Sequence, residues 1–313
     1  MRFRCVLSIV LFWALAAVPV SAASPVRQRF FHSGDGVLHL ASEKNRHTFN
    51  GRYRNADGSY RPDAIKAIAA VFDAPYDPTR QVVSLRLIEY LDFLEDRLHP
   101  DALVTLTSGY RAPQYNTNLR KNGALAAKAS LHQYGMAADL VMAGVPARRI
   151  WKTVRELGFG GAGYYHGRTV HVDVGPARFW DEKSSGVGTG LSDDNKLIGL
   201  TSDFDVYRPG ETIVLRFIRM TAFPIGVRSQ FRLISAGQAA TGDAGRTFDM
   251  HMPFAAADGC AEFSDIAQMA AFQWQLPPST APGSYRIEAT FCDSRWERMP
   301  PSVVSPPFTI RQP

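Results

Sequence analysis

The chain changes character at one place. From Lys183 to Asn195, Ser, Gly and Asp crowd together with hardly an apolar residue, the composition of an exposed linker. The hydrophobic pattern obeys a different period on either side. Before the break, Val82, Leu85, Ile88, Leu91, Leu94 and Leu98 recur three or four apart, with Asp92, Glu95 and Asp96 among the polar positions, which is the spacing of an amphipathic helix. Beyond it, Ile213, Leu215 and Phe217, then Phe231 and Leu233, Phe272, Trp274 and Leu276, and Tyr285, Ile287, Ala289 and Phe291 alternate with polar neighbours, the two-residue period of strands. Such a chain is expected to fold as two units, residues 23–182 and residues 196–313, joined by the linker 183–195. Its 313 residues, 45% of them hydrophobic, supply a core for each.

The first unit reads as α+β. Gly-containing turns at Ser33-Gly34-Asp35-Gly36 and Asn55-Ala56-Asp57-Gly58 punctuate short strands and hairpins, and the chain turns helical near Arg61. A strand at Leu103–Leu106 runs into Ser108-Gly109-Tyr110-Arg111-Ala112-Pro113, where Gly and Pro enforce a loop before a helix around Tyr115–Asn122. Pro146 opens another helix that ends at Gly158, and Thr169–Val174 is a short strand. The second unit, all strands and turns, is expected to be a β-sandwich of immunoglobulin-like type.

The N-terminus has Arg2 and Arg4 before an apolar run from Val6 to Val18, then Pro19 and the small-residue exit Val20-Ser21-Ala22. This is the pattern of a cleaved signal peptide, residues 1–22, and the run is short for a bilayer span. The mature protein is therefore expected in the periplasm or cell envelope, without stable membrane insertion. Cys5 would leave with the signal, and in an oxidising compartment the remaining Cys260 and Cys292 pair as a disulfide. By the two-residue period Cys292 faces away from Ile287 and Phe291, so the bridge should fasten a loop to the outside of a sheet. Loss of Arg2 and Arg4 lowers the formal charge from +6 to +4. No Lys/Arg stripe accompanies this mild excess, which excludes a nucleic-acid binder and suits an anionic envelope polymer.

The chemistry concentrates in Ser130-x-His132-x-x-Gly135-x-Ala137-x-Asp139 and in His171-x-Asp173. A hydrolytic zinc site takes three ligands from His, Asp or Glu and keeps a fourth position for water. The small residues between His132 and Asp139 let the chain pack closely while both side chains converge. His171 is the third candidate, and in a strand Asp173 shares its face. Ser108 and Ser130 lie in no Gly-x-Ser-x-Gly context, which argues against a serine hydrolase.

These motifs together resemble the zinc D-alanyl-D-alanine peptidases and murein endopeptidases of the M15 group, in particular a branch first recognised only as a domain of unknown function. The likeness extends to Ser108–Pro113, Leu38-His39-Leu40 and Tyr53–Tyr60 and covers roughly residues 30–180. It implies a zinc DD-peptidase/Hedgehog-like catalytic fold, zinc held by His132, Asp139 and His171, and peptidoglycan stem peptides as substrate. It also implies that Arg111, in a loop with Ser108 and Tyr110, holds a substrate carboxylate or a developing oxyanion. The general base is where the chain departs from the pattern: Arg168 stands where several relatives carry an acid three positions before the last ligand. Asp173 is then the favoured base or water-orienting group, with holding His171 as its other role, and His166 is a candidate stabiliser of the tetrahedral intermediate. A non-catalytic, zinc-containing wall-binding module is the alternative. The C-terminal unit lies outside the resemblance and is read as a wall or partner adhesin, or as a spacer and lid.

Overall fold

The computed structural model describes residues 28–78, 82–121, 128–184, 194–235, 245–252, 258–266, 272–292 and 295–312. The expected signal peptide, Cys5 and most of the expected linker lie outside them. Among the described residues no helix is long and apolar enough to cross a membrane.

The N-terminal half is a mixed sheet with helices packed on it. In chain order come β1 (Val37–Ser42), β2 (Thr48–Arg52), α1 (Pro62–Val71), α2 (Leu85–Leu98), β3 (Val104–Ser108), α3 (Pro113–Lys121), a single 3-10 turn Leu131–Tyr134, β4 (Ala137–Met142), α4 (Ala147–Leu157), β5 (Gly161–Tyr164), β6 (Val170–Asp173) and β7 (Arg178–Asp181). The sheet order is β2-β1-β3-β4-β6-β5-β7. β4 and β6 sit near its centre, buried on both faces except at Val141, which is why β4 reads as a nearly continuous apolar run interrupted only by Asp139, while β6 alternates valine with His171 and Asp173.

Helix α2 departs from the reading of its polar stripe. It starts at Leu85, because Ser84 is extended and donates its N–H to Gly135 O at 2.9 Å. Asp92 and Glu95, expected among the solvated positions, are 0% and 2% exposed. The segment before β1 and the Tyr53 side chain fold over that face: Gly36 N and Tyr53 Oη donate to Asp92 Oδ2 at 2.9 and 2.6 Å. A helix covered all round has no solvated stripe, whatever its sequence suggests.

The C-terminal half contains only strands as regular elements among the described residues: β8 (Gly199–Ser202), β9 (Val206–Tyr207), β10 (Thr212–Ile218), β11 (Ile225–Ser235), β12 (Gly245–Asp249), β13 (Cys260–Phe263), β14 (Phe272–Gln275), β15 (Gly283–Phe291), β16 (Ser302–Val304) and β17 (Phe308–Ile310). With helices confined to the first half, the chain is α+β. One sheet has the order β14-β10-β8 and the other β12-β11-β15-β17-β9, with β13 on β11 and β16 on β15. Alternation buries Ile213, Leu215 and Phe217 against Phe231, Leu233, Ile287 and Ala289, and Phe217 of one sheet meets Phe291 of the other at 5.8 Å between centroids.

Cys260 and Cys292 are bonded, but they do not fasten a loop. Cys260 opens β13 opposite Arg228 of β11, while Cys292 follows β15 and donates its N–H to Gly226 O of the same strand. The bridge thus spans β11 between its two neighbours. Gly226 makes room for it, since a Cβ there would lie 3.1 Å from Cys260 Sγ.

Side chains also join the halves. Buried Arg86 of α2 donates from Nε to Asp205 Oδ1 at 2.9 Å and from Nη1 to Ser202 O at 2.8 Å. Asn195, placed by composition at the end of an exposed linker, is buried, and its side-chain Oδ1 accepts from Thr221 N at 2.8 Å.

Candidate metal centre

Strand register brings the first two groups together. Asp139 of β4 pairs directly with His171 of β6, and residues opposite one another in an antiparallel ladder project on the same face. His132 arrives from the 3-10 turn that precedes β4. That turn must end at once to feed the strand, and Gly135 ends it in the left-handed region (φ 61°), where the chain runs so close to the Val82 carbonyl that a Cβ would collide with it. On the far side of β6, Gly161 and Gly163 leave the space taken by the Asp173 carboxylate and the Trp180 ring.

The resulting cluster is buried, with His132 2%, Asp139 6% and His171 5% exposed. His132 Nδ1 lies 2.7 Å from Gly109 O. A carbonyl only accepts, so this nitrogen carries the proton and Nε2 keeps a lone pair. His171 Nε2 lies 3.0 Å from Asp173 Oδ2 and donates to it, so Nδ1 is the nitrogen turned toward Asp139 and His132. His132 Nε2 and His171 Nδ1 face each other at 3.3 Å. Asp139 closes the triangle, with Oδ1 3.0 Å from His171 Nδ1 and Oδ2 3.5 Å from His132 Nε2. Donors about 2.0–2.1 Å from a tetrahedral ion stand about 3.3–3.4 Å apart. The nitrogen–nitrogen edge has that length, one oxygen of Asp139 completes a set of three ligand atoms within 4.8 Å of one another, and two imidazoles with a carboxylate make a donor set that zinc accepts.

The electrostatics point the same way. Burial would raise the Asp139 carboxyl, yet the neighbouring His132 and His171 hold it well below the carboxylate range. Burial lowers His132. It also opposes a proton on His171, but hydrogen bonds to Asp139 and Asp173 outweigh it and raise that ring. A basic nitrogen between two carboxylates attracts a cation.

The other expected residues fall around this cluster. Arg111 donates from Nη2 to Asp139 Oδ2 at 2.8 Å and from Nε to Ser108 Oγ at 3.0 Å, so it grips a candidate ligand. Gly109 allows the loop to press against the backbone of Phe72, and Tyr110 N donates to Phe72 O at 2.7 Å. Asp173 is fully buried: Oδ2 takes His171 Nε2, with Arg178 Nη2 at 3.5 Å, and Oδ1 accepts from Gly175 N at 3.0 Å. Burial opposes its ionisation, but His171 and two nearby arginines bring its pKa down to about 2. His166, in the left-handed region at φ 59°, is engaged elsewhere, with Nε2 2.6 Å from Asp181 Oδ1 and its ring 4.5 Å from that of Tyr164. Arg168 lies on the surface and pairs with Glu43 at 2.5 Å.

Two contributors have no motif of their own. Gly109 acts through its carbonyl, which no side-chain pattern reveals. Tyr165 Oη donates to Asp139 Oδ1 at 3.0 Å, and burial beside Asp139 pushes its phenol up, so that it stays protonated. The Tyr164-Tyr165 pair after a Gly-rich turn was the available signal, but only the register of β5 assigns Tyr165 to Asp139.

A family model described as peptidoglycan L,D-endopeptidase MepK matches residues 33–180. The peptidoglycan L,D-endopeptidase MepK of Escherichia coli (strain K12) is 32% identical over 151 residues, 48% of this chain and 70% of that protein. A probable peptidoglycan L,D-endopeptidase MepK of Haemophilus influenzae is 37% identical over 81 residues, 26% of this chain and 44% of that protein. The chain belongs to the M15-type murein peptidases. Within this M15 chain, His132, Asp139, His171, Arg111, Tyr165 and Asp173 all fall inside the matched segment, whereas β8 to β17 lie beyond it.

Proposed function

We propose that the chain is an exported, zinc-dependent endopeptidase acting on the stem peptides of peptidoglycan, in which His132, Asp139 and His171 hold the metal. The observation that carries this reading is the convergence of one ligand atom each from buried His132, Asp139 and His171 within 4.8 Å of one another, two imidazoles and a carboxylate being a donor set that zinc accepts. The names of the relatives favour an endopeptidase for L,D-bonds over a carboxypeptidase. The C-terminal half, residues 196–313, is taken as an immunoglobulin-like sandwich appended to a DD-peptidase/Hedgehog-like unit, residues 23–182, with 183–195 as linker and cleavage after residue 22 delivering the chain to the periplasm.

Zinc, when bound, supplies a Lewis acid that activates water and polarises the scissile carbonyl. The protein's own groups do the rest. Asp173 accepts the His171 Nε2 proton and so fixes the tautomer that presents Nδ1, a support common around metal-bound histidines. Gly109 O does the same for His132. Arg111 holds Asp139 and offers its remaining N–H donors to a substrate carboxylate or a developing oxyanion. The Tyr165 hydroxyl, kept protonated, is a second donor at the same edge of the site and stands beside Asp173 and His166 among the candidates for proton handling.

The test is to incubate the purified mature protein with zinc and muropeptides and to identify products by mass spectrometry, alongside His132→Ala. New amine and carboxyl termini with wild type, lost together with zinc binding in the variant, are expected. Hydrolysis by a metal-depleted variant would sink the zinc reading. Unchanged muropeptides with measurable binding would instead favour a wall-binding module, the alternative that the absence of an acid at Arg168 suggests.

A further inference from the structure

The C-terminal half has a cleft whose chemistry the peptidase reading does not use. It lies at one open end between the two sheets, encloses about 350 Å³, and is built by register. On β11 and β12, Phe231 faces Phe248 and Leu233 faces Arg246; on β11 and β15, Ser235 faces Tyr285. Opposed residues share a face, so the Arg246 side chain projects on the inner, apolar side with Leu233, at the sheet's edge. No described residue bonds to its guanidinium. Across the cleft stands Trp274 of β14, one face stacked on Phe248 at 3.8 Å between centroids. The Tyr285 ring is held in place by its hydroxyl, which donates to Ala281 O at 2.9 Å. The remaining polar lining consists of the hydroxyls of Ser235, Ser279 and Thr280.

We propose that this cleft binds an acidic saccharide, the carboxylate-bearing amino sugar of a glycan strand, with Arg246 on the carboxylate and Trp274 and Tyr285 against the sugar rings. Aromatic walls with a few placed polar groups are the usual make-up of a small-ligand site. Here those polar groups are hydroxyls and a guanidinium, which match a ligand rich in hydroxyls and carrying a carboxylate. A peptide added along an edge strand would be read through backbone N–H and C=O groups instead. The volume suits one or two sugar rings. The inference takes from the wall-peptidase reading only the source of the saccharide: the catalytic half cuts peptide while this half holds the glycan.

The test uses the full chain and glycan strands stripped of stem peptides, whose alternate sugars bear a free lactyl carboxylate, with neutral chitin oligomers for comparison. Wild type should bind the stripped strands and bind chitin oligomers more weakly. Arg246→Gln should weaken binding to the strands about tenfold, the loss of one charge-assisted contact, and Trp274→Ala should abolish it. Both variants should cleave soluble muropeptides like wild type. No binding by wild type, equal binding of chitin oligomers, or wild-type binding by Arg246→Gln would overturn the proposal. The last result together with new self-association would make Arg246 a guard against pairing at the β12 edge. Arg246 is exposed, so its variant remains informative even if Trp274→Ala fails to fold. Glycan binding and muropeptide cleavage are measured separately, so failure of the glycan proposal and failure of the peptidase reading give different results.

Discussion

At the scale of single residues, the candidate metal centre leans on groups that are not themselves candidate ligands. Asp173 is the clearest case. Both its oxygens are engaged, one by His171 Nε2 and one by Gly175 N, so its effect passes through the ring it holds. Replacing Asp173 with Asn keeps the shape but removes the charge that makes His171 Nδ1 a strong donor. Zinc affinity, measured by competition with a chromophoric chelator, should fall about 10–100-fold, and the metal-free melting temperature should drop as well, because Arg178 and Arg219 lose the buried carboxylate beside them. Unchanged affinity would mean that the carboxylate is not a ligand support. Tyr165→Phe separates a further role: it deletes a donor to Asp139 but no candidate ligand, and should lower kcat by more than about tenfold with zinc still bound. Equal turnover would exclude the hydroxyl from the reaction. The candidate ligands were legible in the sequence because His132 and Asp139 are seven apart with small residues between, and because His171 and Asp173 share a strand face. Tyr165 and the Gly109 carbonyl were not, because their roles arise from strand register and from a backbone atom.

At the scale of elements, the turns and the buried helix carry the constraints. Gly135 sits at φ 61° with its α-carbon against the Val82 carbonyl. Gly135→Ala should therefore cost more than about 1 kcal/mol from the backbone conformation alone, with the clash in addition. The urea midpoint should drop, and zinc affinity with it because His132 rides on the same turn. A midpoint equal to wild type would show that the turn yields. Helix α2 makes a prediction in pH. Burial pushes the Asp92 carboxyl up to about 7 and Glu95 to about 7, against ordinary values of 3.8 and 4.5. The folded state then holds protons that the unfolded chain has released, so stability is highest below about pH 4 for these groups and is lost as pH rises toward 7. For Asp92 the loss is at most about 4 kcal/mol. Asp92→Asn should flatten that part of the stability profile and gain on wild type at pH 8; a profile with the wild-type slope would refute the assignment. The helix itself was plain from its apolar spacing, but the burial of its acids was not, because the segment that covers them is remote in sequence.

At the scale of the whole molecule, the described helices all precede residues 183–195 and the described elements after them are strands, yet a change of period says nothing of how firmly the halves are joined. Asp205 is the knot. Its Oδ1 accepts from Arg86 Nε of α2, its Oδ2 accepts from Phe31 N, and its own N–H donates to Arg29 O, so two remote segments, 29–31 and α2, meet at one residue. The other seam lies against the candidate metal centre. Met220 N donates to Tyr134 Oη at 3.0 Å, and Tyr134 belongs to the turn that carries His132. A seam built of buried charges and hydrogen bonds couples the halves, because unfolding of either one takes away the partners of groups on the other. Urea denaturation followed by tryptophan fluorescence and by near-UV dichroism should therefore give one coincident transition for both halves. Arg86→Met leaves Asp205 charged, buried and unpaired, and should lose about 3–5 kcal/mol. Adding Asp205→Asn removes that stranded charge, so the double variant should be less destabilised than the two single variants summed. Additive losses, or two separated transitions in wild type, would mean that the C-terminal half is an independent module. In that event the glycan cleft would be tethered to the peptidase site only by the chain that links them.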